Sequence, residues 1–273
     1  MRKICAMAVL MLAASLFAGK FDEIAYYGKD APVVGNIEYR NERCKLSLVT
    51  PDNVKGFPTL IHFHGGGLSR GKGGIPSHIN LSRAACVAVN YRLSGPKAKA
   101  PDYIWDAAAA VAWVVKNIEK YGGDPQKVYV TGHSAGGYLT AMIALDKKYL
   151  KAFGVEPKQI AGFFPVSGQM TTHFRILAER KERGEKVADL VVDEYAPLYH
   201  ASKDAPVMVF FVGDTACDWP ARVEENALLA ARLVRIYKNK NIKFVSIPYG
   251  THSSCSPPSL AMIDRMINPK IKR

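Results

Sequence analysis

Two periods of hydrophobicity alternate along this chain. "KLSLVT" (45–50), "PTLIHFH" (58–64), "ACVAVNYRL" (85–93), "KVYVTGH" (127–133), "IAGFFPVSG" (160–168), "PVMVFFVGD" (206–214) and "KFVSIPYG" (243–250) are short runs rich in β-branched and aromatic residues. Several are continuously apolar, as a strand buried on both faces requires. "NIEYR" (36–40) also reads as a short strand, and Pro51, Asp52 and Gly56 supply turn chemistry ahead of the run at 58–64. Between these runs the spacing becomes helical: from Asp102 to Tyr121, where Gly122-Gly123-Asp124-Pro125 ends it, from about Ala135, and from Val223 to Tyr237. Strands alternating with helices imply crossover connections, hence an α/β protein with a mostly parallel central sheet and helices on both faces.

One stretch breaks this rhythm. Residues 169–203, charged in the middle ("AERKERGEK"), join two sheet strands where a short connection would suffice. Segments of that length in compact domains carry structure or cover a site, so a small cap insertion is expected here.

Composition adds the boundaries. At 273 residues with 48% hydrophobic content, the chain can bury one large core, giving a single domain over 19–273. Arg2 and Lys3 precede an uncharged apolar run from Ile4 to Phe17, and Ala18 and Gly19 follow. This is the pattern of a signal peptide, 1–18, which predicts an exported protein, periplasmic or secreted. No other apolar run is long enough to span a bilayer, so no membrane span is expected after its removal. Loss of Arg2 and Lys3 lowers the net charge of +13 by two and still leaves a basic chain that favours acidic polymers or surfaces. The positive charges are scattered through 147–151, 175–186 and 232–243 without interleaved stacking aromatics, which argues against a nucleic-acid partner. Without Cys5, four cysteines remain, none at zinc-ligand spacing, so neither a metal nor a cofactor is assigned.

The chemistry gathers at the strand ends. In "VTGHSAGG", Ser134 sits between Gly132 and Gly136, where a strand turns sharply into a helix. Such a turn exposes a hydroxyl for attack, and the helix behind it aims its first amides, beginning with Ala135, at an oxygen that gains negative charge. "HFHGGGLSRG" (62–71) follows another buried strand, and its consecutive glycines can turn their amides into a cavity as the other half of an oxyanion hole. His64 there reads as a scaffold for the loop.

A serine nucleophile needs a base and an orienting acid, and chain order calls for serine, acid, then histidine. His252, in "GTHSSC", is the only histidine after residue 200 and follows the last strand. His173 and His200 fall in or beside the cap. For the acid, "VFFVGDTACDWP" offers Asp214 and Asp218. Asp218 is favoured because it opens the loop into the helix from Val223, with Asp214, close to the strand end, as second choice. If acid and histidine touch, their loops converge, and Cys217 and Cys255 come within reach of a disulfide.

With these residues in place, the chain resembles the α/β-hydrolase superfamily, and within it the carboxylesterases and lipases that carry H-G-G-G and G-x-S-A-G-G. "HFHGGG", "VAVNYRLS", "DAAAAVAWVVKNIEKYGGDP", "VTGHSAGG", "YAPLYH" and "WPARVEENALLAARL" occur in that family's order over nearly the whole chain after the signal. The likeness is greatest to bacterial secreted esterases associated with acetyl or feruloyl groups on plant polysaccharides. The resemblance implies Ser134 as nucleophile, His252 as base, and Gly66, Gly67 and Ala135 as oxyanion donors. It also implies a small-molecule or polysaccharide-linked ester as substrate, cleaved through an acyl-enzyme. Related sequences often place the acid three residues after the strand-ending glycine, and here Ala216 stands there. A peptidase or amidase of the same fold, and a binding protein that keeps the fold without catalysis, are the rival readings.

Overall fold

In the computed structural model the described residues are 19–268 other than 30 and 33, so the expected signal peptide lies outside them. The elements run β1 (Lys20–Ala25), α1 (Ile37–Arg43), β2 (Lys45–Val49), β3 (Phe57–Phe63), β4 (Ala85–Val89), α2 (Asp102–Asn117), β5 (Gly123–His133), α3 (Ala135–Leu145), α4 (Lys147–Lys151), β6 (Gly162–Val166), α5 (Phe174–Glu182), β7 (Met208–Val212), α6 (Arg222–Ala231), β8 (Ile242–Ser246) and α7 (Ser256–Ile267). Among the described residues the strands form an eight-stranded sheet in the order β1-β2-β4-β3-β5-β6-β7-β8. The β1–β2 and β2–β4 pairs are antiparallel and the rest parallel. This is the α/β-hydrolase fold.

Two differences from the sequence reading have local causes. "NIEYR" is not a strand: the Asn36 side chain accepts the Tyr39 amide at 2.9 Å and caps α1, with Glu38 in its first turn and Arg40 and Arg43 in its last. Five residues are too few for the period to show, and the cap decides the matter. β1, with little buried surface, was not anticipated; it is held at the sheet edge by pairing with β2.

Alternate residues of the central strands feed two cores. Phe163, Met208 and Phe210 join the larger one with α2 and α3, while Phe164, Val209 and Phe211 join a smaller one with α7. Burial on both faces explains the continuous apolar runs. Just past β4, Arg92 is fully buried, donates from Nε and Nη2 to Asp106 of α2, and lies 3.5 Å from Asp102. This buried pairing locks the sheet to the helix that packs on α3. The register then aligns Phe63 with Gly132, and Gly132 with Pro165, so the carboxyl ends of β3, β5 and β6 open side by side. Crevices at that edge are where open α/β sheets bind ligands.

Candidate active site

The turn from β5 to α3 is built by close approach. A side chain at Gly132 would begin 2.7 Å from the Phe63 carbonyl oxygen, and one at Gly136 only 2.1 Å from it. With both glycines the β3 backbone can pass beside the turn, and Ser134 is forced to φ 57°, ψ −116°, a costly conformation for a residue with a side chain. The Ser134 amide is tied to the Val166 carbonyl at 2.9 Å, which leaves the hydroxyl projecting at the strand ends.

There Ser134 Oγ lies 2.9 Å from His252 Nε2, and His252 Nδ1 lies 2.9 Å from Asp218 Oδ1. The carboxylate can only accept, so Nδ1 carries the proton and Nε2 is free to accept from the serine. Asp214, the second choice for the acid, stands apart: it accepts the Ala216 and Tyr249 amides at 3.0 Å each and closes its own turn. Asp218 reaches inward because its loop folds back, with Gly213 N donating to Oδ2 at 2.9 Å and Trp219 N to Oδ1 at 2.7 Å.

Three further contacts went unnoticed in the sequence. Ser167 Oγ donates to Asp218 Oδ2 at 2.7 Å and lies 3.1 Å from His252 Nδ1, so its oxygen shares the imidazole proton with the carboxylate. A polar residue ending the buried β6 run was the available signal. The Trp219 ring lies flat on the His252 ring, 4.0 Å between centroids and 10° between planes. His133 Nε2 donates to the His252 carbonyl at 2.6 Å and holds that loop against the turn.

Burial pushes the Asp218 carboxyl upward, but the bonds from His252, Ser167, Gly213 and Trp219 outweigh it and hold the group at about 2, against an ordinary 3.8. A folded-state value below the unfolded one contributes stability above about pH 3.8, lost as pH falls through about 2. The stability difference between the native chain and Asp218→Asn, measured by urea unfolding, should therefore be larger at pH 6 than at pH 3. A gap that stays constant over that range would show that these bonds do not favour the ionised form.

The glycine loop forms the other wall. Gly66 has φ +109°, and its carbonyl accepts the Ser69 and Arg70 amides in a tight turn. Among the described residues, the amides of Gly66, Gly67 and Ala135 have no protein acceptor, so all three remain available to a ligand oxygen. His64 supports this loop: Nδ1 donates to the Gly65 carbonyl at 2.7 Å, and the ring stacks on Tyr91 at 4.3 Å. Burial holds His64 at about 4, hence neutral.

The expected cap segment carries α5, which rests on the body through buried Glu179: its carboxylate accepts from Ser94 Oγ and from the Ala100 amide. His173, at the start of α5, is buried, and its ring contacts Tyr138 and Phe174. His200 is bound to the Glu194 carbonyl at 2.8 Å. The Cys217–Cys255 bridge that converging loops would permit is not formed, and both cysteines are free. Cys217 is exposed, whereas Cys255 is buried in the smaller core, with Sγ directed to the His252 carbonyl at 3.3 Å. The two loops converge through Asp218 and His252 while the sulfurs point to opposite environments. Among the described residues no cluster of three or more His, Cys, Asp or Glu has the arrangement of a metal site.

The chain is similar to known esterases. Against a probable carboxylic ester hydrolase, LipM of Mycobacterium tuberculosis, it is 28% identical over 72% of its own length and 49% of the relative's. Against the carboxylesterase NlhH of the same organism it is 39% identical over 35% of its length and 30% of the relative's. The chain thus spans half or less of these curated relatives. Among solved structures, a truncated carbohydrate esterase from gut microbiota superposes with a TM-score of 0.68 at 17% identity, covering 94% of this chain and 97% of that one. Thermogutta terrifontis esterase 2 superposes at 0.65 with 19% identity, covering 95% and 97%. Both agree with the eight-stranded architecture. The BD-FAE family model matches residues 46–215, from β2 to the loop after β7 and so through the glycine loop and the Ser134 turn, and the chain therefore belongs to the BD-FAE family, built on the α/β-hydrolase fold.

Proposed function

We propose that this protein is a serine hydrolase that cleaves carboxylic esters through an acyl-enzyme. The observation that carries the reading is the unbroken line from Ser134 Oγ through His252 to Asp218, with 2.9 Å at each step. His252 Nε2 takes the serine proton as Oγ attacks the ester carbonyl, and the oxygen of the tetrahedral intermediate is held by the amides of Gly66, Gly67 and Ala135. The imidazolium is stabilised by Asp218 on one side and by the Trp219 π face above it. It returns the proton to the departing alkoxide. Water, activated by the same nitrogen, then releases the acid. The names of the curated relatives support ester chemistry over a peptidase or a non-catalytic binder.

For the substrate, we read an acyl group carried on a plant polysaccharide, supported by the carbohydrate esterase among the structural neighbours and by a basic chain suited to acidic polymers. The 169–203 segment is read as a cap over the site, supported by Phe174, whose ring stands 3.1 Å from where a Gly67 side chain would begin. The chain is read as exported, on the basis of residues 1–18, which N-terminal sequencing of the mature protein would test.

A fluorophosphonate probe tests the central claim. It should label one peptide, at Ser134, and the same preparation should turn over 4-nitrophenyl acetate. Acetylated xylan and methyl ferulate, assayed beside it, report on the natural acyl group. An unlabelled Ser134 peptide with no ester turnover would overturn the reading.

A further inference from the structure

From Asn226 to Ile263 the chain contains neither Asp nor Glu, while Arg232, Arg235, Lys238, Lys240 and Lys243 bring five cations. Among the described residues none of the five enters an ion pair. They gather around the end of α6, which passes into a π-helical turn over Arg232–Ile236. Leu228, Arg232, Arg235 and Ile236 stand at i, i+4, i+7 and i+8 and so share one side of this helix. Asn226, Leu229, Ala230 and Leu233 are buried on the other. On the outward side Leu228 is 54% exposed and Ile236 65%. Phe244 joins them: it pairs in register with Phe210 of the larger core, so its ring lies on the α6 side at the edge of the sheet, where it is 38% exposed.

This face lies away from Ser134. α6 starts four residues after Asp218, past the carboxyl end of β7, and joins two parallel strands, so its far end returns to their amino ends. There Asn239 Nδ2 donates to the Ala205 carbonyl at 2.8 Å, and the Met208 amide to the Asn241 carbonyl at 3.1 Å. Asp204, next to Ala205, is held by Lys147 at 2.9 Å and Lys158 at 3.6 Å, which leaves the five cations uncompensated. Glu224, exposed in the first turn of α6, stands one turn before Leu228, toward the site end.

We propose that the outward face of α6 and its π turn docks on the surface of an anionic lipid bilayer. The cations meet phosphate headgroups, and the aliphatic and aromatic side chains enter the boundary of the acyl region beneath them, the division of labour of a helix that lies in the interface. An acidic polysaccharide or a nucleic acid would engage the cations and leave Leu228 and Ile236 in water. A second copy of the chain would cover those side chains but set five cations against five, and along the β8 edge it would meet Lys243. Docked in this way, the protein turns the strand ends that carry Ser134 toward solvent, and the site stays open to substrate.

Vesicle sedimentation tests this. In about 0.1 M NaCl, where the screening length is about 10 Å, the protein should sediment with vesicles of phosphatidylcholine and phosphatidylglycerol in equal parts and not with phosphatidylcholine alone. On docking, hydrogen exchange should slow in peptides over 228–244, which separates this face from the apolar run at 4–17. The triple variant Arg235→Gln, Lys238→Gln, Lys240→Gln should bind about 100-fold more weakly, at roughly fivefold per charge removed. The double variant Leu228→Ser, Ile236→Ser should lose at least about tenfold. Because these positions are exposed, both variants should keep the native thermal midpoint within a few degrees. If either does not fold, the exchange footprint on the native protein decides alone. Equal binding to both kinds of vesicle, binding to neither, or a footprint that leaves 228–244 unprotected overturns the proposal. A double variant that binds like the native protein while the triple does not would make the face purely electrostatic and overturn it in favour of an acidic polymer. A dimer in light scattering that Leu228→Ser, Ile236→Ser turns into a monomer would make a second copy the occupant and overturn it as well.

Discussion

Ser134→Ala is expected to lower ester turnover by about four to six orders of magnitude, because removing a triad nucleophile leaves only binding and oxyanion stabilisation. The fold should survive. Among the described residues the Ser134 hydroxyl bonds to His252 alone, while the shape of the turn comes from Gly132, Gly136 and the Ser134 amide on the Val166 carbonyl. The thermal midpoint should therefore move by no more than a few degrees. Fluorophosphonate labelling should vanish with activity. Retention of more than about a tenth of native turnover in a folded variant would mean that another group attacks the ester.

Asp218→Asn is expected to cost on the order of 10⁴-fold in turnover, and Asp214→Asn only a few-fold. An amide in place of the Asp218 carboxylate can present N–H to His252 Nδ1, which favours the tautomer protonated at Nε2. That nitrogen then cannot accept from Ser134. Ser167 reinforces the outcome, since its hydroxyl donates to the native carboxylate and shares the imidazole proton. Among the described residues the Asp214 carboxylate accepts the Ala216 and Tyr249 amides, so its loss falls on the turn and not on the imidazole. Kinetics of the two variants on 4-nitrophenyl acetate decide the matter. The reverse ranking would transfer the role to Asp214, and two small effects would mean that some other group orients His252.

Much of this arrangement could be anticipated from short-range pattern. Continuous apolar runs mark strands covered on both faces, and a small-residue turn between strand and helix marks Ser134, because close backbone packing excludes side chains at 132 and 136. These features are written within a few residues of one another. "NIEYR" misled for the opposite reason, since five residues carry too little periodicity to outvote the Asn36 cap.

The choice between carboxylates is of another kind. Asp214 and Asp218 lie four residues apart in one loop, and in the sequence only their positions along it, with Asp218 opening the run into the helix, favour one over the other. The difference lies in how that loop folds back on Gly213, which turns Asp218 toward His252 and Asp214 toward Tyr249. Cys217 and Cys255 show the same limit: loops can converge through one pair of side chains while neighbouring ones face solvent and core.

By itself, then, the sequence determined the strands β2 to β8 with α2, α3 and α6 between them, the turn that carries Ser134 and the glycine loop, because each depends on residues adjacent in the chain. Only the tertiary structure decided that Asp218 meets His252 and that Ser167 and Trp219 hold the imidazole. Contacts of this kind, with those of Ser134, join residues 33 to 118 positions apart, and no local pattern encodes them.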